Sequence, residues 1–370
     1  MAHRIVVIGA SAGGVEALSK LVEQLPPNLN AAVFVAVHFP SYGVSLLPEI
    51  LNRFSPLPVV HPQHGEKFQP GHIYVAPPDY HLLVCSDTIE LNRGPKENGH
   101  RPAVDALFRS AAKSHGSSVI GVVLTGMLDD GTSGLSAIKA KGGLCLVQDP
   151  AEALFRSMPQ SAIAKVGADQ VLPIAGLAKA IAKLTTDVGT PSMASEQPSD
   201  PTSDLTDPDP TSEPTSGPPD PTSDPTSDPT SRQPKLDDQI VAEEKKAAED
   251  GARSNAASPL TCPDCGGVLW ELQDGNLLRF RCHVGHAYSL DSLFAEQADD
   301  LERAMWTAVR AIEERAALSR RLAVYAQGQN RPKSAELFSN RAAEAERDMN
   351  LVKQVILRQQ ETRLQDPNLP

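Results

Sequence analysis

Cysteine is scarce in this chain, five residues in 370. That scarcity excludes a disulfide framework as the main source of stability. Long apolar runs are absent too, and none approaches the roughly 20 residues needed to span a bilayer. The first apolar stretch, IVVIGA at 5–10, follows only Met-Ala-His-Arg and runs straight into glycines, so it does not read as a signal peptide. No basic stripe with interleaved aromatics occurs, and aromatics make up only 4% of the residues, so nucleic acid is not an expected partner. These absences predict a cytoplasmic protein that is not inserted in a membrane. The net charge of −12 is misleading, because positions 196–238 alone carry 11 acidic and 2 basic side chains. The remainder is close to balanced, and the acidity says nothing about substrate.

What is present begins with IVVIGASAGGV at 5–15. A short apolar run enters a glycine-flanked turn with Ser11 at its apex, and a helix follows. Such a turn lifts a serine clear of its neighbours, and exposed N–H groups there can hold a developing oxyanion. Ala12 and Gly13 are the first candidates for that role. The spacing of Gly9, Gly13 and Gly14 fits neither G-x-G-x-x-G nor the Walker pattern. From the turn alone, a nucleophile, a phosphate cradle and a structural turn all stay open.

The length leaves room for two or three domains, and a 40% apolar fraction is enough for packed cores. Over 1–186 apolar runs alternate with helical patterns. Strands are predicted at 4–9, 31–38, 72–76, 82–86, 88–92, 118–124 and 143–148. Helices are predicted at 14–25, 43–54, 102–115, 131–141, 159–166 and 175–184. The alternation predicts an α/β fold with a doubly wound, mostly parallel sheet, and with a meander or hairpin inserted at 72–92. Positions 187–258 read as a disordered linker. Its core repeats Pro-Thr-Ser-Asp, as in PTSDPTSDPTS at 221–231, and has too few apolar side chains to offset ordering entropy. A small module is expected at 259–290 and a helical hairpin at 291–370, broken near 327–332.

A serine nucleophile needs a base and a group to orient it. In an open parallel sheet these lie beyond the carboxyl ends of the strands. The second strand ends at His38. The strand VIGVVLTG leads into Met127-Leu-Asp129-Asp130-Gly131. Ser, His and Asp thus fall in order just past three strand ends.

IGASAGG, AVHFP, IYVAPPDYHL, HRPAVDALF, VVLTGMLDDGTSGL and RSMPQSAI, in that order, resemble the catalytic domain of the CheB-type chemotaxis protein-glutamate methylesterases across about 3–184. The resemblance implies Ser11 as nucleophile, His38 as base and Asp130, just before the glycine of G-M-x-x-D-G, as the orienting acid. Asp129 is the lesser candidate. It also implies a hydrolase in phosphorelay signalling that removes methyl esters from glutamates on the cytoplasmic helices of methyl-accepting chemoreceptors. The same machinery would suit glutamine deamidation. No catalytic cofactor is implied, and the backbone of Met127 is a further oxyanion candidate. Two departures stand out: Ala12 replaces a frequent threonine, and the chain starts at the catalytic strand with no receiver domain before it, so the signal input is expected from elsewhere. A carboxylesterase for another ester and a non-catalytic signalling scaffold are the rival readings.

In the module, Cys262-x-x-Cys265 and Cys282-x-x-x-His286 stand 16 residues apart around a turn at Asp274-Gly275-Asn276. Four such ligands in two knuckles predict a closed, structural zinc site on a ribbon. His283 is the alternative fourth ligand, and RCHVGHAYS resembles a zinc-ribbon appendage that favours His286. After it, Leu301, Met305, Val309 and Ile312 at helical spacing predict a hairpin core or a self-association face, and docking of a signalling partner through this C-terminal region.

Overall fold

The computed structural model describes residues 4–39, 45–186, 258–274 and 276–365. The linker prediction falls outside these described residues. Apolar β-branched runs bounded by glycine and proline form seven parallel strands: β1 (Arg4–Ala10), β2 (Ala31–Val37), β3 (Val59–Val60), β4 (Ile73–Val75), β7 (Val119–Val123), β8 (Leu144–Gln148) and β9 (Gln170–Leu172). Their order is β3-β4-β2-β1-β7-β8-β9. The chain grows outward from β1 to one side and later returns to its other side, which makes the carboxyl end of β1 a topological switch point.

Alternate residues of β1 feed separate cores. Val6 and Ile8 pack with Leu18, Leu21 and Val22 of α1 (Gly14–Glu23) and Leu177 and Ile181 of α6 (Ile174–Thr186). Ile5 and Val7 pack with Leu107 and Phe108 of α3 (Val104–His115), Leu135 and Ile138 of α4 (Thr132–Ala140), and Met158 and Ala162 of α5 (Ser157–Lys165). Every side chain of β1 beyond Arg4 and of β2 is buried, as a sheet covered on both faces requires.

Several expectations are corrected here. The hairpin alternative for 72–92 holds in part: β5 (His81–Val84) and β6 (Ile89–Asn92) form an antiparallel pair, but β4 belongs to the parallel sheet instead. A three-residue strand has too few side chains to reveal which partner it joins. The second helix, expected at 43–54, is α2 (Leu47–Leu51), with positions 40–44 outside the described residues. Strands β3 and β9 and the 3-10 turn at Gly116–Ser118 carry no periodic signal and were not anticipated.

Beyond the undescribed stretch, β10 (Leu269–Asp274), β11 (Leu277–Cys282) and β12 (Ala287–Ser289) form a three-stranded antiparallel sheet around Leu269, Phe280, Tyr288 and Leu293. Helices α7 (Leu290–Gly328) and α8 (Pro332–Gln365) follow as a hairpin. Of the four apolar residues expected at its core, only Val309 is fully buried, and Leu301 is half exposed. Most of the other buried residues of the two helices are small: Ala316, Ala323 and Ala326 on α7 and Ala335, Ala342 and Ala345 on α8, and small side chains let two long helices approach closely.

The sheet unit lies against the first unit. Ala287 bridges Glu97 in parallel, and the Asn98 amide donates to the Ala287 carbonyl at 2.7 Å. Arg279 pairs with the buried Glu97 at 3.2 Å, and Lys165 bridges Asp129 at 2.8 Å to Asp291 at 2.7 Å.

Candidate active site

Three strand ends meet at the switch point. Past β1, Gly13 takes φ 75° as α1 begins, a left-handed conformation that glycine adopts without strain. The turn is pinned from below: the Ser11 amide donates to the Thr125 carbonyl at 3.0 Å and the Gly14 amide to the Ser11 carbonyl at 2.9 Å. A methyl group on Gly126 would stand 2.9 Å from Ser11 Cβ and 2.0 Å from Met158 Sδ, so only glycine lets the loop after β7 close on the serine. Past β2, the His38 amide donates to the Ala10 carbonyl at 3.3 Å, which sets its ring beside Ser11.

The structure brings Ser11, His38 and Asp130 into one line. His38 Nδ1 lies 3.1 Å from Ser11 Oγ, and His38 Nε2 lies 2.7 Å from Asp130 Oδ2. A carboxylate can only accept, so the short contact places the ring proton on Nε2 and leaves Nδ1 bare, facing the serine hydroxyl.

Asp130 is 2% exposed, yet it is densely supplied with donors. Oδ2 also accepts the Val104 amide at 2.7 Å. Oδ1 accepts the Asp105 amide at 3.1 Å, the Gly131 amide at 2.9 Å and Asn98 Nδ2 at 3.0 Å. The Val104 and Asp105 amides open α3, so the carboxylate also sits at the positive end of a helix dipole. Burial opposes its charge, but the His38 hydrogen bond and charge and the Val104 amide outweigh burial and hold the carboxyl below the usual range. Its neighbour Asp105 goes the other way, pushed up to about 7 by burial and by the charge of Asp130. Of the two, Asp130 carries the negative charge.

Asp129 points elsewhere. Its carboxylate takes Lys165 at 2.8 Å, Ser289 Oγ at 2.5 Å and Ser292 Oγ at 3.2 Å, all on the side facing the C-terminal unit. Leu128, just before the pair, sits at φ 59°.

Among the described residues, no acceptor engages the amides of Ala12, Gly13 or Met127. The Ser11 amide is committed to Thr125. The Thr125 hydroxyl accepts from the Phe155 amide at 2.8 Å and lies 3.1 Å from the Ala12 carbonyl, tying the serine turn to the loop before α5. Met127, Leu154 and Phe155 stand exposed on that side.

Two further residues belong to the site. His100 stacks on His38 with ring centroids 3.7 Å apart. Burial, then the charge of His38, depresses its pKa to about 3, so it faces His38 as a neutral ring. Pro102, expected at the first helical turn, instead precedes the Ala103 cap of α3. That leaves His100 in the loop that passes over His38. Asn98, 2% exposed, spans Asp130 and Asp105. His100 opens the HRPAVDALF motif and Asn98 stands two residues before it, but neither contact was marked by the sequence.

In the C-terminal sheet, the ligand atoms of Cys262, Cys265, Cys282 and His286 all lie within 4.8 Å of one another. His286 Nδ1 is 3.6 Å from both Cys262 Sγ and Cys282 Sγ, and Cys265 Sγ is 3.6 Å from Cys282 Sγ. A tetrahedral zinc with bonds of about 2.3 Å to sulfur has edges of roughly 3.8 Å, so the donor set fits that ion. His283 lies outside the cluster, exposed beside Gly267.

Residues 6–181 match the CheB methylesterase family. The chain is 40% identical over 189 residues to the protein-glutamate methylesterase/protein-glutamine glutaminase 3 of Burkholderia lata, covering 50% of this chain and 52% of that protein. It is 44% identical over 177 residues to a protein of the corresponding name from a Nocardioides species, covering 46% and 48%. It thus spans about half the length of the curated relatives it matches. The crystal structure of the Thermotoga maritima CheB methylesterase catalytic domain aligns with a TM-score of 0.48 at 35% identity, over 50% of this chain and all of that one.

Proposed function

We propose, on the premise that residues 6–181 belong to the CheB methylesterase family, that this chain is a serine hydrolase that removes methyl esters from glutamate side chains of chemoreceptors. The observation that carries the reading is the Ser11–His38–Asp130 line at the switch point. The names of the curated relatives support the substrate class.

In this reading His38 Nδ1 takes the Ser11 proton as Oγ attacks the ester carbonyl. Asp130 keeps the other ring proton on Nε2 and stabilises the imidazolium that forms. The oxyanion is held by backbone N–H groups of Ala12, Gly13 and Met127, which are free to donate. The Ser11 amide, given to Thr125, plays no part. Collapse of the tetrahedral intermediate expels methanol, with the proton returned from His38. Water then enters along the same path and hydrolyses the acyl-enzyme. An amide carbonyl needs the same groups, so glutamine deamidation belongs to the same proposal. Among the described residues no helix is long and apolar enough to cross a membrane, which is compatible with action on the cytoplasmic part of a receptor.

The four ligands of the C-terminal sheet would hold a structural zinc, with every position filled by protein and none open for chemistry. That ion would fix the two knuckles together and so order the sheet.

The test is methanol release from methylated chemoreceptor membranes. Wild-type protein is expected to release it and Ser11→Ala, folded to the same melting temperature, is not. Full release by Ser11→Ala would remove the serine from the mechanism. No release by a wild-type protein whose Ser11 still reacts with a fluorophosphonate would remove the substrate.

A further inference from the structure

We infer that Asn98 is the positioning residue for Asp130 and that the C-terminal sheet holds Asn98 in place, so that docking of that sheet sets the competence of the Ser11–His38–Asp130 line. The inference rests on the reading of that line as catalytic. It adds to it an intramolecular input from the other end of the chain.

Asn98 has two ends, and each is committed. Its Nδ2 donates to Asp130 Oδ1 at 3.0 Å and to Asp105 Oδ2 at 3.1 Å. Its Oδ1 accepts the Ser289 amide at 2.9 Å, and its own amide donates to the Ala287 carbonyl at 2.7 Å. An amide side chain offers donors at one end and an acceptor at the other. The Ser289 N–H therefore fixes the polarity and tilt with which the NH₂ group meets the carboxylates. Asn98 also sits at φ 51°, a left-handed backbone that asparagine tolerates better than most residues but does not prefer. Its anchors are the two bonds to β12.

The neighbouring residues carry the same connection. Glu97, one residue back, pairs with Arg279 of β11 as well as with Arg109. Its carboxyl, opposed first by burial, is held down to about 2 by Arg109, Arg279 and Arg281. His100, two residues on, stacks on His38. The segment 97–100 thus has one side zipped to the C-terminal sheet and the other laid against both partners of the nucleophile. Asp129 and Lys165 clamp the same interface through Ser289 and Asp291. Among these contacts, the one through Asn98 reaches Asp130 directly.

Ser289 permits a test that separates one N–H from everything else. Its φ of −73° and ψ of 170° suit proline, so Ser289→Pro deletes the N–H given to Asn98 and the hydroxyl. Ser289→Ala deletes only the hydroxyl, which caps α7 through the Ser292 amide and donates to Asp129. The full-length variants Ser289→Pro, Ser289→Ala, Asn98→Ala and the double variant Asn98→Ala/Ser289→Pro would be compared. Two rates are read: ester turnover, as kcat and KM, and phosphonylation of Ser11 by a fluorophosphonate. In the latter the Oγ–P bond forms, fluoride leaves and the serine proton passes to His38, with no receptor involved.

Asn98→Ala is expected to lower kcat and the phosphonylation rate by on the order of 10- to 100-fold, the range that misplacement of a reacting group produces, with KM unchanged. Ser289→Pro should fall well below Ser289→Ala in both rates. The double variant should be no slower than Asn98→Ala alone, since both changes act through one contact. A purely structural role would instead make the two losses multiply. Equal rates for the proline and alanine variants, or an Asn98→Ala rate within twofold of wild type, would overturn the coupling. If Ser289→Pro does not fold, the Asn98→Ala rates decide the matter. A wild-type Ser11 that resists phosphonylation would overturn the catalytic line itself. Phosphonylation without methanol release would fault only the substrate.

Discussion

Asp130→Asn changes one oxygen to an NH₂ group without changing shape, and the surrounding donors dictate how the amide must sit. With its oxygen in the Oδ1 place it keeps the Asp105, Gly131 and Asn98 donors. Its NH₂ then faces the Val104 amide and His38 Nε2. Flipping it would set an NH₂ against three donors instead of one, so the first arrangement wins. The Val104 N–H is then buried without an acceptor, at a cost of about 1–3 kcal/mol. The positive end of α3 also loses its anion, a further ~0.3–2 kcal/mol. The expected destabilisation is about 1–5 kcal/mol. The chemical effect is larger. An NH₂ against Nε2 makes that nitrogen the acceptor and drives the ring proton to Nδ1, where it points at Ser11 and blocks proton uptake. Holding a catalytic histidine in the wrong tautomer costs about 10⁴ in kcat, or ~5 kcal/mol of transition-state stabilisation. Ester turnover and thermal unfolding of the same preparation check both figures. Turnover above roughly a tenth of wild type would refute the tautomer argument, and an unchanged melting temperature would refute the account of the Val104 amide.

The C-terminal sheet is expected to carry one zinc per chain by elemental analysis. Cys262→Ser/Cys265→Ser should lose the ion and expose the buried Tyr288 to solvent, whereas a metal-free wild type with the sheet folded would defeat the assignment. His100 supplies a pH prediction. Its pKa stands near 3 in the fold against an ordinary 6.5, so the unfolded chain takes up the proton first as pH falls. The stability associated with the neutral ring is complete above pH 6.5 and drains away towards pH 3. The melting temperature of His100→Gln should therefore gain on wild type as pH drops from 7.5 to 5, and a relative loss over that interval would contradict the burial of the ring.

What could be read in advance divides by distance along the chain. The β1 turn, the strand-end positions of Ser11 and His38 and the pairing of Cys262 and Cys265 with Cys282 and His286 follow from local patterns: apolar runs, glycines and short spacings. Asp129 and Asp130 could not be told apart on that basis, since both follow one strand and both are buried. The difference lies in what arrives from elsewhere. His38 and the opening of α3 come to Asp130, while Lys165, Ser289 and Ser292 come to Asp129. The two adjacent carboxylates thus look in opposite directions, one towards His38 and one towards the C-terminal unit. His100 and Asn98 were illegible for the same reason: their partners lie 62 and 191 residues away, and nothing periodic marks them. Their placement gives the second unit a physical reason to be where it is. The last strand of the C-terminal sheet lies along the 97–100 segment, which touches both His38 and Asp130. Ser289, Ser292 and Lys165 engage Asp129 from the C-terminal side, so that carboxylate is held away from His38, which meets Asp130 instead.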